Sequence, residues 1–287
     1  MIEASAQPKT SAKAAATRVQ RRSGRGLLNS HLGLMYLFLY VPIIILVLFS
    51  FTKDTFGARW TGFTFDWYVQ LLDDQRLVGA AFNSLQVALI STLFATVLGT
   101  LAALGMERYR FNGRTTVDGM LYMPIIIPEI VMALSLLAFF AFVFGLAETL
   151  FGVRLKMNLV TVIIAHIAFS ISFVVVVVRA SLRGFDRRLE EAAMDLGANE
   201  WRTFWEITFP LILPGIIGGA LLAFTISLDD FVISFFTTGP GTTLLPVEVY
   251  AQVKRAVTPR INAISTIMLL FSIALIGASL ALQRKRN

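Results

Sequence analysis

Three carboxylic acids inside long apolar stretches are the residues of this sequence best suited to chemistry. Glu129 lies within residues 119–147, and Asp229 and Asp230 lie within residues 211–238. A charged side chain at the centre of a bilayer costs about 3 kcal/mol on insertion scales, so each acid needs a reason to be there. The sequence leaves two interpretations open: burial keeps these acids neutral, or they face a wet path that accepts a cation.

Other kinds of chemistry find little support in the residue types. The chain has no cysteine and only two histidines, His31 and His166, which stand far apart in the sequence. We find no glycine-rich phosphate-binding loop, no nucleophile elbow and no zinc-binding His-Glu pattern. The sequence therefore predicts no catalytic residue, no metal site and no cofactor held by this chain. His166 is expected to form hydrogen bonds within the protein interior.

The elements that must position the three acids are long apolar helices. Of the 287 residues, 56% are hydrophobic and only 15% are charged, which is typical of a membrane protein. A helix needs about 20 apolar residues to cross a bilayer, and only helices or closed barrels satisfy their backbone groups in lipid. The stretches long enough to span are residues 32–51, 77–106, 119–147, 157–178, 211–238 and 261–283. The predicted fold class is an all-α integral membrane protein with six transmembrane helices.

The distribution of positive charge predicts the orientation. Seventeen of the 25 Lys and Arg residues lie in the two terminal segments and in the loops at 107–118 and 179–210, whereas the opposite loops hold eight. The positive-inside rule places both termini and these two loops in the cytoplasm. The formal charge of +7 is thus a topology signal, and nucleic acid is not an expected partner. Residues 1–30 are expected to be a basic, disordered arm on anionic membrane lipid, followed by one membrane domain over residues 31–287.

A patterned cytoplasmic segment at about residues 186–209 predicts two short amphipathic helices. Asp186 can cap the first helix and Asn199 the second, and Gly197 between them suits a left-handed turn. Pro210 is expected to end the second helix. Tryptophans on the apolar stripe suit a bilayer surface, but anionic lipid would repel the acids of the first helix. The composition therefore favours docking into a groove of a partner protein, with lipid contact as the alternative.

This segment resembles the cytoplasmic signature of permeases from ABC importers. In that signature, Glu-Ala-Ala is followed after three residues by Gly and after nine more by Ile-x-x-Pro. Here these are residues 191–193, Gly197, Ile207 and Pro210, with Phe209 where the family usually has Leu. The resemblance implies a type I importer permease with cytoplasmic termini. It also implies coupling helices, between transmembrane helices 4 and 5, that dock on an ATP-hydrolysing subunit.

The resemblance further assigns residues and partners. The residues implied in contact with the ATPase are Glu190, Glu191, Ala192, Ala193, Asp195, Gly197, Trp201, Ile207 and Pro210. The implied partners are a dimer of ATP-binding subunits, which would hold ATP and magnesium, a second homologous permease that forms a heterodimer with this chain, and a periplasmic or surface solute-binding protein. The implied location is the bacterial cytoplasmic membrane, where this chain would be a non-catalytic subunit.

Further stretches between residues 32 and 283 resemble the second membrane subunit of spermidine/putrescine importers. They include PEIVMALSLL at 128–137 and SLDDFVISFFTTGPGTTLLP at 227–246. The expected cargo is a cationic polyamine. The expected pathway residues are Glu129, Ser227, Asp229, Asp230 and Tyr250. Counted along continuous helices, Glu129 would lie about 15 Å and the Asp pair about 28 Å from the cytoplasmic surface, as two separate acidic stations.

Alternatives remain within and outside this class. Related permeases carry opines, thiamine, aminoethylphosphonate or ferric ion, and the composition does not exclude these solutes. A self-contained secondary cation transporter would use the same acids, but it would have no need of the cytoplasmic segment. A membrane enzyme is disfavoured because the acids stand on separate spans, without cysteine and with two distant histidines.

Overall fold

The computed structural model describes residues 10–57 and 59–284, and the regular elements in this part of the chain are helices. An isolated antiparallel bridge joins Thr52 to Phe63. In chain order the helices are α1 Thr10–Phe49, α2 Asp66–Asp73, α3 Gln75–Arg108, α4 Arg114–Ile126, α5 Glu129–Phe151, α6 Leu159–Arg183, α7 Arg188–Asp195, α8 Glu200–Thr203, α9 Phe209–Asp229, α10 Val232–Thr237, α11 Leu245–Val253 and α12 Pro259–Arg284. A π-helical turn, Phe204–Thr208, lies between α8 and α9.

Five helices among the described residues are long and apolar enough to cross a membrane. They are Leu28–Phe49 within α1, then α3, α5, α6 and the continuous helix Glu200–Asp229. The sixth predicted span lies in α12, whose described apolar part, Pro259–Leu275, is shorter. The predicted all-helical membrane fold is therefore confirmed with five candidate spans.

The core lies where α3, α6 and α9 pack against one another. Ala95 and Ala103 of α3 are buried in one cluster with Val174 of α6 and Ala223 of α9. Small side chains let helices in lipid approach closely, so that van der Waals packing holds them together. Gly99, between the two alanines, is required for this approach because a Cβ there would lie 2.8 Å from the Cβ of Val174.

The third predicted span is not one continuous helix. α4 ends at Ile126 and α5 begins at Glu129, with Ile127 and Pro128 in extended conformation between them. Pro128 has no amide hydrogen to donate, and it restricts the preceding residue to extended geometry, so a helix does not run through this point. The expectation that Glu129 lies well inside a continuous helix is therefore wrong: Glu129 is the first residue of α5.

Pro210 does not end the second cytoplasmic helix, contrary to the sequence prediction. The helix continues from Glu200 through the π-helical turn into α9, and Pro210 lies in the first turn of α9. In the π-helical turn, the N–H of Phe209 donates to the carbonyl of Phe204, five residues back. This wider turn directly before Pro210 relieves the clash that the proline ring makes in a regular α-helix.

The N-terminal arm also differs from the expectation. α1 begins at Thr10, so the predicted disordered arm is helical from Thr10 onward, while residues 1–9 lie outside the described residues. The segment contains AKAAATRVQRR, whose alanines and straight-chain residues favour a helix. The boundary of the membrane domain near residue 30 stays a prediction, because α1 runs through it.

Candidate functional site

Glu129 and Asp230 meet at one place in the bundle. Glu129 opens α5, and Asp230 follows the last residue of α9. Their carboxyl groups lie within hydrogen-bonding reach of each other. Two carboxyl groups this close share a proton, or they part to hold a cation between them, because two adjacent negative charges repel. We call Glu129, Asp229 and Asp230 the acidic station.

These contacts correct the depths derived from the sequence. The prediction placed Glu129 and the Asp pair at two separate levels, whereas the structure brings Glu129 and Asp230 to one level. The error arises because the chain is not helical through Pro128. His166, which lies beside Asp230, is seven residues from the start of α6, or about 10 Å along that helix. In the predicted orientation this end of α6 faces outward, so the station lies in the outer part of the membrane.

Asp230 is only 6% exposed and is held by the first turn of α10. Its carboxyl oxygens accept the N–H of Ile233 at 3.3 Å, the N–H of Ser234 at 2.8 Å and the hydroxyl of Ser234 at 2.9 Å. The Nε2 atom of His166 lies 3.4 Å from the same carboxyl group. These donors fix the side chain of Asp230, so it presents a defined edge to Glu129.

Behind Asp230, a chain of polar side chains joins α3, α6, α9 and α10. His166 pairs through Nδ1 with the hydroxyl of Ser227 at 2.7 Å and through Nε2 with the hydroxyl of Ser234 at 3.1 Å. Ser227 in turn pairs with Ser91 at 3.0 Å. Because Ser234 donates its single hydrogen to Asp230, it accepts from His166, and Nε2 of His166 therefore carries a hydrogen. The predicted interior hydrogen bonding of His166 is confirmed.

Asp229 and Tyr250 have different surroundings from Asp230. Asp229 is exposed on this chain and accepts one hydrogen bond, 3.1 Å long, from Ser272 of α12. The ring of Tyr250 packs against Phe231, with centroids 4.5 Å apart, and the Nζ atom of Lys254 lies 4.9 Å from its centroid. A cation of this chain thus already lies against the ring predicted to receive a cationic solute, which makes Tyr250 the weaker pathway candidate.

The cytoplasmic segment forms the helix–turn–helix that the sequence predicts. We call residues 188–208 the bracket. Asn199 accepts the N–H of Arg202 at 2.8 Å, so the predicted cap of the second helix is formed. Asp186 accepts the N–H of Arg188 at 3.0 Å, but the N-cap residue of α7 is Arg187, so Asp186 lies one residue before the cap position. Gly197 has φ of +90°, a left-handed conformation that favours glycine. The cap at Asn199 and this turn fix the angle between the two arms of the bracket.

Most bracket residues assigned to a partner contact face outward from this chain. Leu196 at the turn is 90% exposed, and Trp201 is 71% exposed. Of the assigned residues, Glu191, Ala192, Asp195, Gly197, Trp201 and Pro210 are exposed, whereas Ala193 and Ile207 are half-buried. Glu190 differs from all of these, because it forms an ion pair with Arg108 and accepts a hydrogen bond from Thr208 within this chain. The outward surface combines apolar side chains with carboxylates.

Both the bracket and most of the bundle core fall within one region of known protein similarity. Residues 95–286 match the family described as the binding-protein-dependent transport system inner membrane component, which is more than half of the chain. The chain belongs to this family. It is therefore a multi-pass permease of the inner membrane in a bacterial ABC importer and a non-catalytic component of it.

The permease is similar to named relatives over almost its whole length. It is 41% identical over 261 residues to the spermidine/putrescine transport system permease protein PotC of Haemophilus influenzae, with 91% of this chain and 98% of that protein covered. It is 41% identical over 235 residues to the putrescine transport system permease protein PotI of Escherichia coli, with 82% of each chain covered. In its fold, it resembles a crystal structure of a bacterial ABC transporter involved in the import of the acidic polysaccharide alginate. That likeness has a TM-score of 0.75 at 20% identity and covers 93% of the permease and 99% of the solved chain.

Sequence reasoning missed several residues of these sites. Ser91 and Ser234 stand in apolar stretches, where a hydroxyl usually bonds to its own helix and gives no signal. The spacing of four between Asp230 and Ser234 is a signal that a helical reading of the segment could have used. In the sequence, Arg108 gives only a topology signal, because its ion pair with Glu190 joins positions 82 apart and no spacing rule reaches that far.

Proposed function

We propose that this permease is a membrane subunit of an ATP-driven importer that carries the polyamines putrescine and spermidine into the cell. The observation that carries the proposal is the 41% identity to PotC over 91% of the chain, which is named for these two solutes. The similarity to PotI, named for putrescine, supports the same solute class. The fold does not contribute to this choice, because the structurally similar transporter imports an acidic polysaccharide.

The acidic station suits a polyamine. Each polyamine carries ammonium groups spaced along a flexible chain, and these seek carboxylates where water is scarce. Glu129 and Asp230 lie within hydrogen-bonding reach of each other, and Asp229, the sequence neighbour of Asp230, is exposed and bonds to Ser272 of α12. Since Asp230 is already bonded by several donors of this chain, Glu129 and Asp229 are the groups with free capacity for a passing ammonium. Weak, multiple contacts suit transport, because the solute must also leave.

The proposed assembly follows from surfaces that this chain leaves uncovered. We infer six spans with cytoplasmic termini, because α12 has 26 residues, about 39 Å, and supplies the sixth crossing. In the apolar part of α1, Leu28–Phe49, the rest of the described chain buries no residue, and most of these residues are exposed. A second, homologous permease and lipid would cover that surface, and the second permease would complete the solute path. A solute-binding protein would deliver the polyamine at the outer face.

The bracket is the proposed contact with the ATP-binding subunit. Its turn carries the highly exposed Leu196, and its second arm carries the exposed Trp201. Glu191, also exposed, adds a carboxylate that anionic lipid would repel. An amphipathic helix with such a surface fits a groove on a protein. ATP and magnesium would be held by that partner subunit.

Uptake by the reconstituted assembly tests the proposed solute class. Proteoliposomes holding the complete assembly, with ATP on the side of the ATPase, would be given labelled putrescine. We expect uptake that requires ATP and that excess spermidine inhibits, while thiamine and ferric ion do not. Inhibition by thiamine or ferric ion and none by spermidine would refute the polyamine assignment. Uptake by this chain alone without ATP would indicate a secondary transporter instead.

A further inference from the structure

Glu190 and Glu191 are neighbours on α7 with opposite surroundings. The carboxylate of Glu190 forms an ion pair with Arg108 and accepts the hydroxyl of Thr208, and its side chain is only 16% exposed. Arg108 also donates to the hydroxyl of Thr208 at 3.1 Å, which closes a triangle of contacts. Thr208, the last residue of the bracket, is fully buried. The side chain of Glu191 is exposed. The carboxylate of Glu190 therefore bonds to partners within its own chain.

The last two residues of α3 hold α7 at two points. Besides the contact through Arg108, the backbone carbonyl of Glu107 accepts a hydrogen bond from Arg187, directly before α7, at 2.6 Å. The carboxylate of Glu107 accepts a hydrogen bond from Arg179 of α6 at 2.8 Å. Arg179 itself is buried. The end of α3 thus bonds to both α6 and α7. The charge-assisted hydrogen bonds to these two helices make the contacts specific.

α3 runs without interruption from its contacts with α7 to Ser91, whose hydrogen bonds lead to the acidic station. It is a single helix of 34 residues. Ser91 lies 17 residues before Arg108 on it, about 25 Å along the axis. Ser91 pairs with Ser227, which pairs with His166 beside Asp230. The two routes that follow the chain are less direct, because α9 is reached through the π-helical turn and α6 through the non-helical residues 184–187.

We propose that Glu190 is a positioning residue that couples the bracket to α3 through Arg108, and that it does not contact the ATPase. The inference rests on the proposed function of the bracket and assigns different roles to Glu190 and Glu191. Glu191 faces the partner, and Glu190 makes α3 follow when the partner moves α7. A movement of α3 would reach Ser91 and so displace the polar side chains that fix Asp230. The proposal rests on α3, a single continuous helix that contacts α7 through Arg108 and the polar side chains behind Asp230 through Ser91.

The test compares Glu190→Gln with Glu191→Gln in the complete assembly. Capture of the ATP-binding subunit and the amount of putrescine carried per ATP hydrolysed would be measured for each. We expect Glu190→Gln to capture the ATPase normally, while putrescine carried per ATP falls between about twofold and thirtyfold. Glu191→Gln should weaken capture instead. The matched control is Glu148→Gln, which removes an exposed ion pair with Arg154 far from the bracket and should change neither quantity.

Two results would overturn the inference. One is normal putrescine carried per ATP in Glu190→Gln, and the other is loss of ATPase capture equal to that of Glu191→Gln. A purely structural role would lower the yield of the assembly and leave the ratio of putrescine to ATP unchanged, which also counts against it. If the unmodified chain captures no ATPase, the proposed function itself fails, which is a different and separately visible result.

A charge swap decides the matter if Glu190→Gln does not fold. Combining Arg108→Glu with Glu190→Arg restores the ion pair, and the hydroxyl of Thr208 can still donate to one partner and accept from the other. We expect the swapped chain to carry more putrescine per ATP than either single reversal. A swapped chain no better than the single reversals would contradict coupling through this pair.

Discussion

The acids of the acidic station differ in how many hydrogen bonds they already accept from this chain, and therefore in their capacity to bind a solute. Asp230 accepts three hydrogen bonds from α10, whereas Asp229 accepts one from Ser272. Replacing Asp230 removes a structural acceptor together with a charge, so its effect on transport cannot be separated from its effect on folding. Asp229 offers a cleaner test of electrostatic guidance, because little else in the described chain depends on it.

We predict that Asp229→Asn weakens polyamine transport without unfolding the permease. The amide keeps the size of the side chain and can still accept from Ser272, but it loses the charge that attracts an ammonium group. The KM for putrescine should rise about twofold to fivefold, which corresponds to up to about 1 kcal/mol for a partly exposed charge pair. Uptake kinetics in proteoliposomes check this. An unchanged KM would mean that Asp229 lies off the solute path.

His166 is predicted to matter for stability. It is 2% exposed, and its two ring nitrogens pair with Ser227 and Ser234. His166→Leu would leave these buried hydroxyls short of a partner, at a cost of about 1–3 kcal/mol. Thermal unfolding in detergent should show a lower midpoint. The matched control is Ser170→Ala, one turn further along α6, whose buried hydroxyl has no hydrogen-bond partner among the described residues and should change stability little. Equal midpoints for the two variants would contradict the polar chain.

At the scale of secondary structure, the bracket depends on the turn at Gly197. Its φ of +90° is strained for any residue with a Cβ, although a Cβ there would meet no atom within 4 Å. Gly197→Ala should therefore disfavour the turn by about 1–2 kcal/mol and weaken capture of the ATP-binding subunit about fivefold to thirtyfold. A pull-down titration measures this. Gly145→Ala, at an equally open helical position in α5, is the control and should capture normally. Normal capture by Gly197→Ala would show that the turn geometry is not needed.

The packing of α3 on α6 gives a second prediction at this scale. A Cβ at Gly99 would lie 2.8 Å from the Cβ of Val174 and 3.1 Å from the carbonyl of Ile171. Gly99→Ala should force the helices apart and lower stability by about 1–3 kcal/mol. Gly105→Ala, on the same helix with no atom within 4 Å of the added carbon, should be neutral or stabilising. Thermal unfolding of both variants decides, and equal stability would contradict the close approach of α3 and α6.

At the scale of the whole molecule, the sequence was informative wherever a signal is local. Long apolar runs predict the spans, and residue type correctly predicts the cap at Asn199 and the turn at Gly197. Errors arose where two local signals compete. Pro128 interrupts its helix, whereas Pro210 does not, because the π-helical turn before Pro210 relieves the clash of the proline ring. Residue type alone cannot distinguish these two prolines.

Long-range contacts could not be predicted from the sequence. The contact between the carboxyl groups of Glu129 and Asp230 depends on how α5 and α10 pack. The ion pair between Arg108 and Glu190 joins helices that are distant in sequence. The sequence supplied the right acids for the station and the right segment for the bracket. It placed Glu129 at the wrong depth and gave no sign of the ion pair that Glu190 forms within this chain, because both depend on the tertiary structure.

Crosslinking from the bracket tests the central proposal most directly. A photo-crosslinking amino acid would replace Leu196 or Trp201, which are 90% and 71% exposed, in membranes that contain the whole assembly. The same group at Leu72, exposed on the outer side in the proposed orientation, is the control. We predict that both bracket positions form a covalent adduct with the ATP-binding subunit and that Leu72 does not. Adducts with lipid alone at both bracket positions would contradict the proposed contact between the bracket and the ATP-binding subunit.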